Sequence, residues 1–68
     1  MIEYIIMRRK TLLAASSGPD HKRDKVRAMA VRYAVQNAQD GPVEVFIKGQ
    51  KTPCMRVDKH GVFTCSGT

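Results

Sequence analysis

The sequence predicts an α+β fold in which one amphipathic helix packs on one face of a small antiparallel sheet. Three observations lead to this prediction. Residues 21–39 carry apolar side chains at helical spacing, and the segments on either side are rich in β-branched residues. A length of 68 residues leaves room for one small domain. The expected element order is β-(β)-α-β-β-β, within a single basic domain that spans residues 1–68.

The amino-terminal segment is expected to form two strands. Residues 2–7 are mostly β-branched or aromatic, and they are apolar on both faces, with Ile2, Tyr4 and Ile6 on one and Glu3, Ile5 and Met7 on the other. Such a pattern is typical of a central strand, or of one whose second face meets a partner. Residues 11–16 predict a shorter second strand, paired with the first across a turn of basic residues. A loop over residues 16–20 follows.

Residues 21–39 form the helix. Its apolar positions recur at i, i+3, i+4 and i+7, which is the helical period: Val26, Met29, Ala30 and Tyr33. Asp20 is the expected N-cap, because a short acidic side chain can accept hydrogen bonds from the first free N–H groups. Gly41 and Pro42 are expected to end the helix, since glycine accepts the left-handed cap geometry and proline cannot continue the helix.

Three strands are expected after the helix. Residues 43–48 alternate between apolar and polar, with Val43, Val45 and Ile47 facing the core. After a turn at residues 49–53, a hairpin of residues 54–58 and 62–65 closes around residues 59–61, where Gly61 suits a left-handed position. Its inward side chains are expected to include Met55, Val57 and Phe63.

The register of this hairpin decides the role of the two cysteines. A three-residue loop gathers Met55, Val57, Phe63 and Cys65 on one face, whereas a four-residue loop mixes charged and apolar side chains and places Cys54 opposite Cys65. We expect the first register, with Cys65 in the core and Cys54 as an outer-face thiol. A cross-strand disulfide belongs to the second register and stays an alternative.

No pattern in the sequence indicates catalysis or metal binding. The cysteines and histidines lack the C-x₂-C and H-x₃-H spacings of zinc sites. The glycines are scattered singly, so no phosphate-binding loop is formed, and no nucleophile has a histidine at suitable spacing. We therefore expect a protein that is not an enzyme and that uses no cofactor and no metal.

The positive charge is concentrated in the amino-terminal part of the chain. Residues 1–39 hold eight Lys or Arg against three Asp or Glu, a net charge of +5, whereas residues 40–68 hold four against three. Most of the excess lies in two clusters, which are the candidate binding residues: the turn cluster of Arg8, Arg9 and Lys10, and the helix cluster of Lys22, Arg23, Lys25 and Arg27. The pattern favours a polyanionic or acidic partner, a nucleic acid or a nucleic-acid-handling protein complex. If the two clusters lie at the same end of the sheet, they form one clamp for phosphate.

The second candidate surface is the sheet face that the helix leaves uncovered. Phe46 is expected there, with Tyr4 and its neighbours on the same face or, alternatively, with Ile5 and Met7. An exposed apolar patch on so small a domain indicates partner docking or a homodimer, with base stacking as a further alternative. Val31, Val35 and Ala38 on the helix flank suit a second copy of the chain or a broader core.

In size, basicity and hairpin-rich layout the chain resembles the small accessory proteins of phages and mobile elements, including anti-CRISPR proteins and inhibitors of host polymerases. The resemblance is one of general design and assigns no residues. It implies a non-enzymatic inhibitor that docks on a protein or nucleoprotein complex. The alternative is direct, largely sequence-nonspecific binding of DNA or RNA through the basic start of the helix.

The expected location is the cytoplasm, without membrane association. No apolar run reaches the ~18 residues of a membrane helix. In the first ten residues the charges follow the apolar stretch, which is the reverse of a secretory signal.

Overall fold

A computed structural model describes residues 1–64 as one helix packed against a five-stranded antiparallel sheet. The strands are β1 (Ile2–Arg8), β2 (Thr11–Gly18), β3 (Val43–Ile47), β4 (Met55–Asp58) and β5 (Gly61–Thr64), and the helix is α1 (Arg23–Asn37). Short 3₁₀ turns at Asp20–Lys22 and Ala38–Asp40 flank the helix. The strands follow one another across the sheet in the order β2-β1-β3-β4-β5. The predicted fold class is confirmed.

The first two strands form a long hairpin, and β2 continues to Gly18, beyond the predicted end at residue 16. Arg8 pairs with Thr11, so the connecting turn consists of Arg9 and Lys10 alone. Arg9 adopts a positive φ of 56°, as a tight hairpin turn requires at its first central position. The pairing shifts between Ile6 and Met7, which leaves Leu13 as the extra residue of a β-bulge.

The core lies between the helix and the inner face of the four strands nearest to it. The sheet contributes side chains that are at most 2% exposed: Tyr4, Ile6, Val43, Val45, Met55 and Val57. The helix and the 3₁₀ turn that follows it contribute a stripe at four-residue spacing: Val26, Ala30, Ala34 and Ala38. Three of these four are alanines, so the helix axis can approach the sheet closely.

One predicted apolar helix position differs from the expectation in its burial. Met29, predicted in the core, is 38% exposed, whereas Ala34 is fully buried. The buried stripe follows positions four apart, and Tyr33 and Val31 pack at its two flanks. The prediction failed because it favoured the larger side chains, while the close helix–sheet contact accommodates the smaller ones.

The start of the helix also approaches the sheet closely, at Gly18. A Cβ atom placed on Gly18 would lie 2.6 Å from Cγ2 of Val26, far inside van der Waals contact. The Oγ of Ser16 donates a hydrogen bond of 3.1 Å to the carbonyl of Val26. The glycine at the end of β2 therefore allows the first turns of α1 to approach the sheet closely, and the hydrogen bond from Ser16 fixes them there.

The predicted N-cap is wrong. The helix begins at Arg23 after a 3₁₀ turn, and the residue at its N-cap position, Lys22, makes no side-chain capping bond. Asp20 instead opens the 3₁₀ turn, and its carboxylate lies 3.2 Å from the amino group of Met1. The predicted stop holds at the other end, where Gly41 has a φ of 151° before Pro42.

The hairpin of β4 and β5 adopts the register that we did not expect. Asp58 pairs with Gly61 and Val57 with Val62, so only Lys59 and His60 form the turn. An Asp58 side-chain oxygen accepts a 2.7 Å hydrogen bond from the backbone N–H of His60, and Gly61 supplies a φ of 145°. The local chemistry of the turn therefore sets the register, and it outweighs the gathering of apolar residues on one face.

This register changes the positions of Phe63 and Cys54. Phe63 lies opposite Arg56 on the outer face and is 53% exposed, so its predicted place in the core is wrong. Cys54 is half-buried and packs against the core instead of standing on the outer face. Cys65 lies outside the described residues, so its predicted burial stays a prediction and the disulfide with Cys54 stays an alternative.

Candidate functional site

The sheet has one face that the helix does not cover. Ile5 lies opposite Phe46, and both alternate with side chains that point to the helix. Met7 stands on the same face opposite Leu12, because the bulge in β2 turns Leu12 outward. We name this surface the open face and define it by its large apolar side chains: Ile5, Met7, Leu12, Phe46 and Phe63. Leu12 is 61% exposed and Phe63 is 53% exposed, whereas the other three are half-buried.

The structure decides between the two predicted neighbours of Phe46. Tyr4 pairs with Ile47 on the helix side and is 2% exposed, so it lies in the core and the prediction that it belongs to the binding face is wrong. The alternative with Ile5 and Met7 on the outer side is the arrangement found. The sequence could not decide this, because both faces of β1 are apolar.

Charged residues divide the open face. Cross-strand pairing aligns one row across all five strands, in the order Leu12, Met7, Glu44, Arg56 and Phe63. Glu44 and Arg56 therefore stand between Phe63 and the apolar side chains of β1 and β2. The open face is thus an apolar patch over β2, β1 and β3, a pair of opposite charges, and one exposed aromatic ring at the far edge.

The two basic clusters lie at opposite ends of the sheet. Ile2 pairs with Gly18, so the 3₁₀ turn that leads into the helix is at the start of β1, whereas the turn cluster is at the end of β1. Six residues of strand separate these ends by about 20 Å. The two clusters therefore do not combine into the single phosphate clamp that was considered from the sequence.

Arg8 has a structural role within the turn cluster. One Nη atom of Arg8 donates to the carbonyl oxygens of Asn37 at 2.6 Å and of Gly41 at 3.1 Å. These carbonyls lie at the end of the helix, where a positive charge is favourable. Among residues 1–64, the buried Nε atom of Arg8 has no hydrogen-bond partner. Arg8 thus ties the end of β1 to the end of the helix.

The remaining basic candidates are exposed. Arg9 and Lys10 project from the hairpin turn, and all four members of the helix cluster, Lys22, Arg23, Lys25 and Arg27, are exposed in or beside the first turns of the helix. Asp24 is the one acidic residue within that segment, and Asp20 precedes it in contact with the amino terminus. The domain therefore presents a positive patch at each end of its longest strands.

The surface of residues 1–64 has clefts at both ends of the sheet. One cleft, of about 610 Å³, has both signs of charge in its lining, from Arg8, Arg9 and Arg56 and from Asp40 and Glu44. Within residues 1–64, no group of three or more His, Cys, Asp or Glu side chains is arranged to hold a metal ion. These clefts give no reason to assign a reaction.

Of the three apolar residues predicted on the helix flank, Val31, Val35 and Ala38, one is exposed. Ala38 is buried and Val31 packs against the core, in agreement with the broader core that was one alternative. Val35 is 40% exposed. A single exposed valine does not make a docking surface.

The chain matches no family model, no curated protein and no solved structure. Among the described residues, no helix has the length and apolar character needed to cross a membrane.

Proposed function

We propose that the protein is a small non-enzymatic docking module that binds a protein or a nucleoprotein complex through its open face. The observation that supports the proposal is the apolar patch over β2, β1 and β3, which includes the exposed Leu12 and which the helix leaves uncovered. The exposed ring of Phe63 lies on the same face, beyond Glu44 and Arg56. Exposed apolar patches of this kind mark interaction sites on small proteins.

The charge distribution indicates the character of the partner. Exposed cations stand at both ends of the sheet, in the turn cluster and in the helix cluster, and the whole chain carries a net charge of +6. Basic residues around an apolar centre attract an acidic surface and speed its association. The partner is therefore an acidic protein surface, such as one that itself imitates or handles nucleic acid.

A docking module of this kind can inhibit its partner by covering a binding surface. A protein that acts by occupancy needs an apolar anchor and complementary charge, and it needs no catalytic group. In this proposal the module covers a surface of its partner and excludes the ligand that normally binds there, as phage and mobile-element inhibitors of nucleic-acid-handling complexes do.

Affinity capture from the native host, with and without nuclease, tests the proposal. Phe63→Asp and Leu12→Asp each place a charge on the open face, and Val35→Asp places the same charge at an exposed apolar site on the helix. We expect one partner to survive nuclease and to be lost by about tenfold or more with the two open-face variants. Equal capture by all three variants would contradict docking through the open face.

The second candidate function is direct binding of DNA or RNA through the helix cluster. The exposure of Lys22, Arg23, Lys25 and Arg27 close together favours it. Binding of this kind weakens steeply with salt and shows little sequence preference. Replacing Arg23 and Arg27 together by Glu should abolish it, and Phe63→Asp should leave it intact. Retention measured with a mixed-sequence duplex and a single strand, at low and moderate salt, separates the two functions.

A further inference from the structure

The strand β2 forms one edge of the sheet, and its free edge differs from most natural edge strands. It is eight residues long and contains no Lys, Arg, Asp, Glu or Pro between Thr11 and Gly18. Natural proteins usually protect an edge of this length with charges or proline, because its unpaired backbone groups can bind another strand. The bulge at Leu13 disturbs only the part near the turn, so the stretch from Ala14 to Gly18 is regular.

The hydrogen-bond pattern shows which backbone groups of β2 point outward. The carbonyl of Glu3 accepts a 2.9 Å hydrogen bond from Lys48, so Glu3 directs its backbone groups away from β2. In an antiparallel ladder such residues alternate with residues that bond the other neighbour. Ser17 and Ala15 lie opposite Glu3 and Ile5. Their own N–H and C=O groups therefore point to the free edge, and both residues are exposed.

Basic residues stand at both ends of this uncharged edge. Arg9 and Lys10 precede β2, and Lys22 and Arg23 follow it after a short turn. The strand between the two pairs spans about 23 Å. Asp20 lies between the strand and the second pair, but its carboxylate is in contact with the amino group of Met1. The edge thus combines unpaired backbone groups with positive charge at each end.

We propose that β2 binds an extended segment of an acidic partner, which adds a sixth strand to the sheet and places carboxylates against Arg9–Lys10 and Lys22–Arg23. The segment supplies main-chain hydrogen bonds to Ala15 and Ser17, as in β-strand addition. This inference rests on the proposed docking function and specifies how the partner is held.

Charge argues against a second copy of this chain as the occupant. Antiparallel pairing of two β2 strands about a two-fold axis would bring Arg9 and Lys10 of one copy beside Lys22 and Arg23 of the other. Like charges would then meet at both ends of the pairing. An acidic segment would instead place negative charge beside these four basic residues, so the interaction at each end would be attractive.

The area of the open face also calls for a further contact. The strands are four to eight residues long. At about 3.3 Å per residue and about 4.8 Å between strands they give a face of roughly 440 Å², which is about half of the ~800 Å² per partner in a standard interface. A strand added at β2 continues the open face beyond Leu12 and Ala15. Both contacts can then belong to one partner surface.

Designed peptides test the inference on the intact chain. The probe has a core of alternating Val and Thr with paired Glu residues at each end, and two matched peptides carry Lys at the ends or N-methyl groups on alternate core amides. Amide spectra of the isotope-labelled protein should show the largest shifts at Ala15 and Ser17 with the acidic peptide. The Lys-flanked peptide should bind at least about tenfold more weakly, and N-methylation on the paired edge should abolish binding.

A variant of the chain provides the complementary test. Ala15→Pro removes one outward N–H, and proline is tolerated at edge positions whose N–H faces solvent. Ala15→Thr keeps the N–H and is the matched control. We expect the acidic peptide to bind Ala15→Thr and not Ala15→Pro, with unchanged circular dichroism in both. If Ala15→Pro fails to fold, the N-methylated peptide makes the same test from the side of the ligand.

Several results would overturn the inference. The first two are an absence of amide chemical-shift changes in β2 with the acidic peptide at millimolar concentration, and shift changes confined to β5 or to the helix cluster. The third is equal affinity for the N-methylated and the unmodified acidic peptide. The fourth is a dimer of the chain alone in which the β2 amides are protected from hydrogen exchange. The capture experiment with Phe63→Asp tests whether the open face binds the partner, and it does not test the free edge of β2. The docking function and the edge contact can therefore fail independently.

Discussion

Replacing Arg8 by Met tests whether this arginine clamps the helix end or serves a ligand. The variant keeps the aliphatic stem and removes the donors to Asn37 and Gly41. Two hydrogen bonds from a charged donor contribute about 3–6 kcal/mol together, and the buried Nε without a partner costs about 1–3 kcal/mol. The net loss is about 2 kcal/mol, from a total stability of about 3–10 kcal/mol for a chain of this length.

Thermal unfolding followed by circular dichroism measures this loss. A change of about 2 kcal/mol lowers Tm by about 10 °C in a domain of this size. Lys10→Met is the matched control, because it removes a neighbouring positive charge from an exposed turn position. We expect Tm of Lys10→Met to stay within about 2 °C of the parent. Equal Tm values for the two variants would refute the reasoning that Arg8 acts through the helix end.

Three further predictions concern local packing and backbone geometry. Gly18→Ala should lower the free energy of unfolding by about 1 kcal/mol in urea, because crowding against Val26 outweighs the lower entropy of the unfolded chain. The loss should be smaller in a Val26→Ala background. A Gly18→Ala variant more stable than the parent would contradict the 2.6 Å approach. Arg9→Gly should raise stability by about 0.5–1 kcal/mol in thermal unfolding, since glycine adopts the positive φ without strain, and a loss would argue against that backbone conformation. Ala34→Leu should lower the free energy of unfolding in urea by about 1–3 kcal/mol. The control Ala28→Leu, at an exposed helix position, should leave it almost unchanged. Similar losses in the two variants would show that the alanine stripe does not face the sheet.

Much of the fold could be predicted from the residue pattern. Helical spacing located α1, and the residue pattern located the strands, including the second strand, whose length was underestimated. Gly41 and Pro42 marked the end of the helix correctly. These features depend on local preferences that are legible in a single segment.

The errors arose where contacts between segments decide the outcome. Both faces of β1 are apolar, so only the position of the helix shows that Tyr4 is buried and that Ile5 is outside. Leu12 reaches the open face because of a bulge that no residue pattern announces. Phe63 follows the register that the Asp58 turn imposes.

The candidate site could be predicted only in part. The sequence located both basic clusters, but their separation depends on the hairpin of β1 and β2, which carries the chain away from the turn cluster before the helix begins. The use of Arg8 at the helix end depends on a contact across 29 positions of sequence. The sequence alone does not distinguish an arginine that binds backbone carbonyls within the fold from one that binds a ligand.

The most direct test of the docking account compares two variants in one capture experiment after nuclease treatment. Phe63→Asp changes the open face and leaves the basic clusters intact, whereas the Arg23→Glu, Arg27→Glu double variant does the reverse. The account predicts that a partner protein is retained by the parent chain, is lost with Phe63→Asp, and is captured more slowly but still retained with the double variant. Loss of all captured material with nuclease, or loss with the double variant alone, would contradict it and would favour direct binding of nucleic acid.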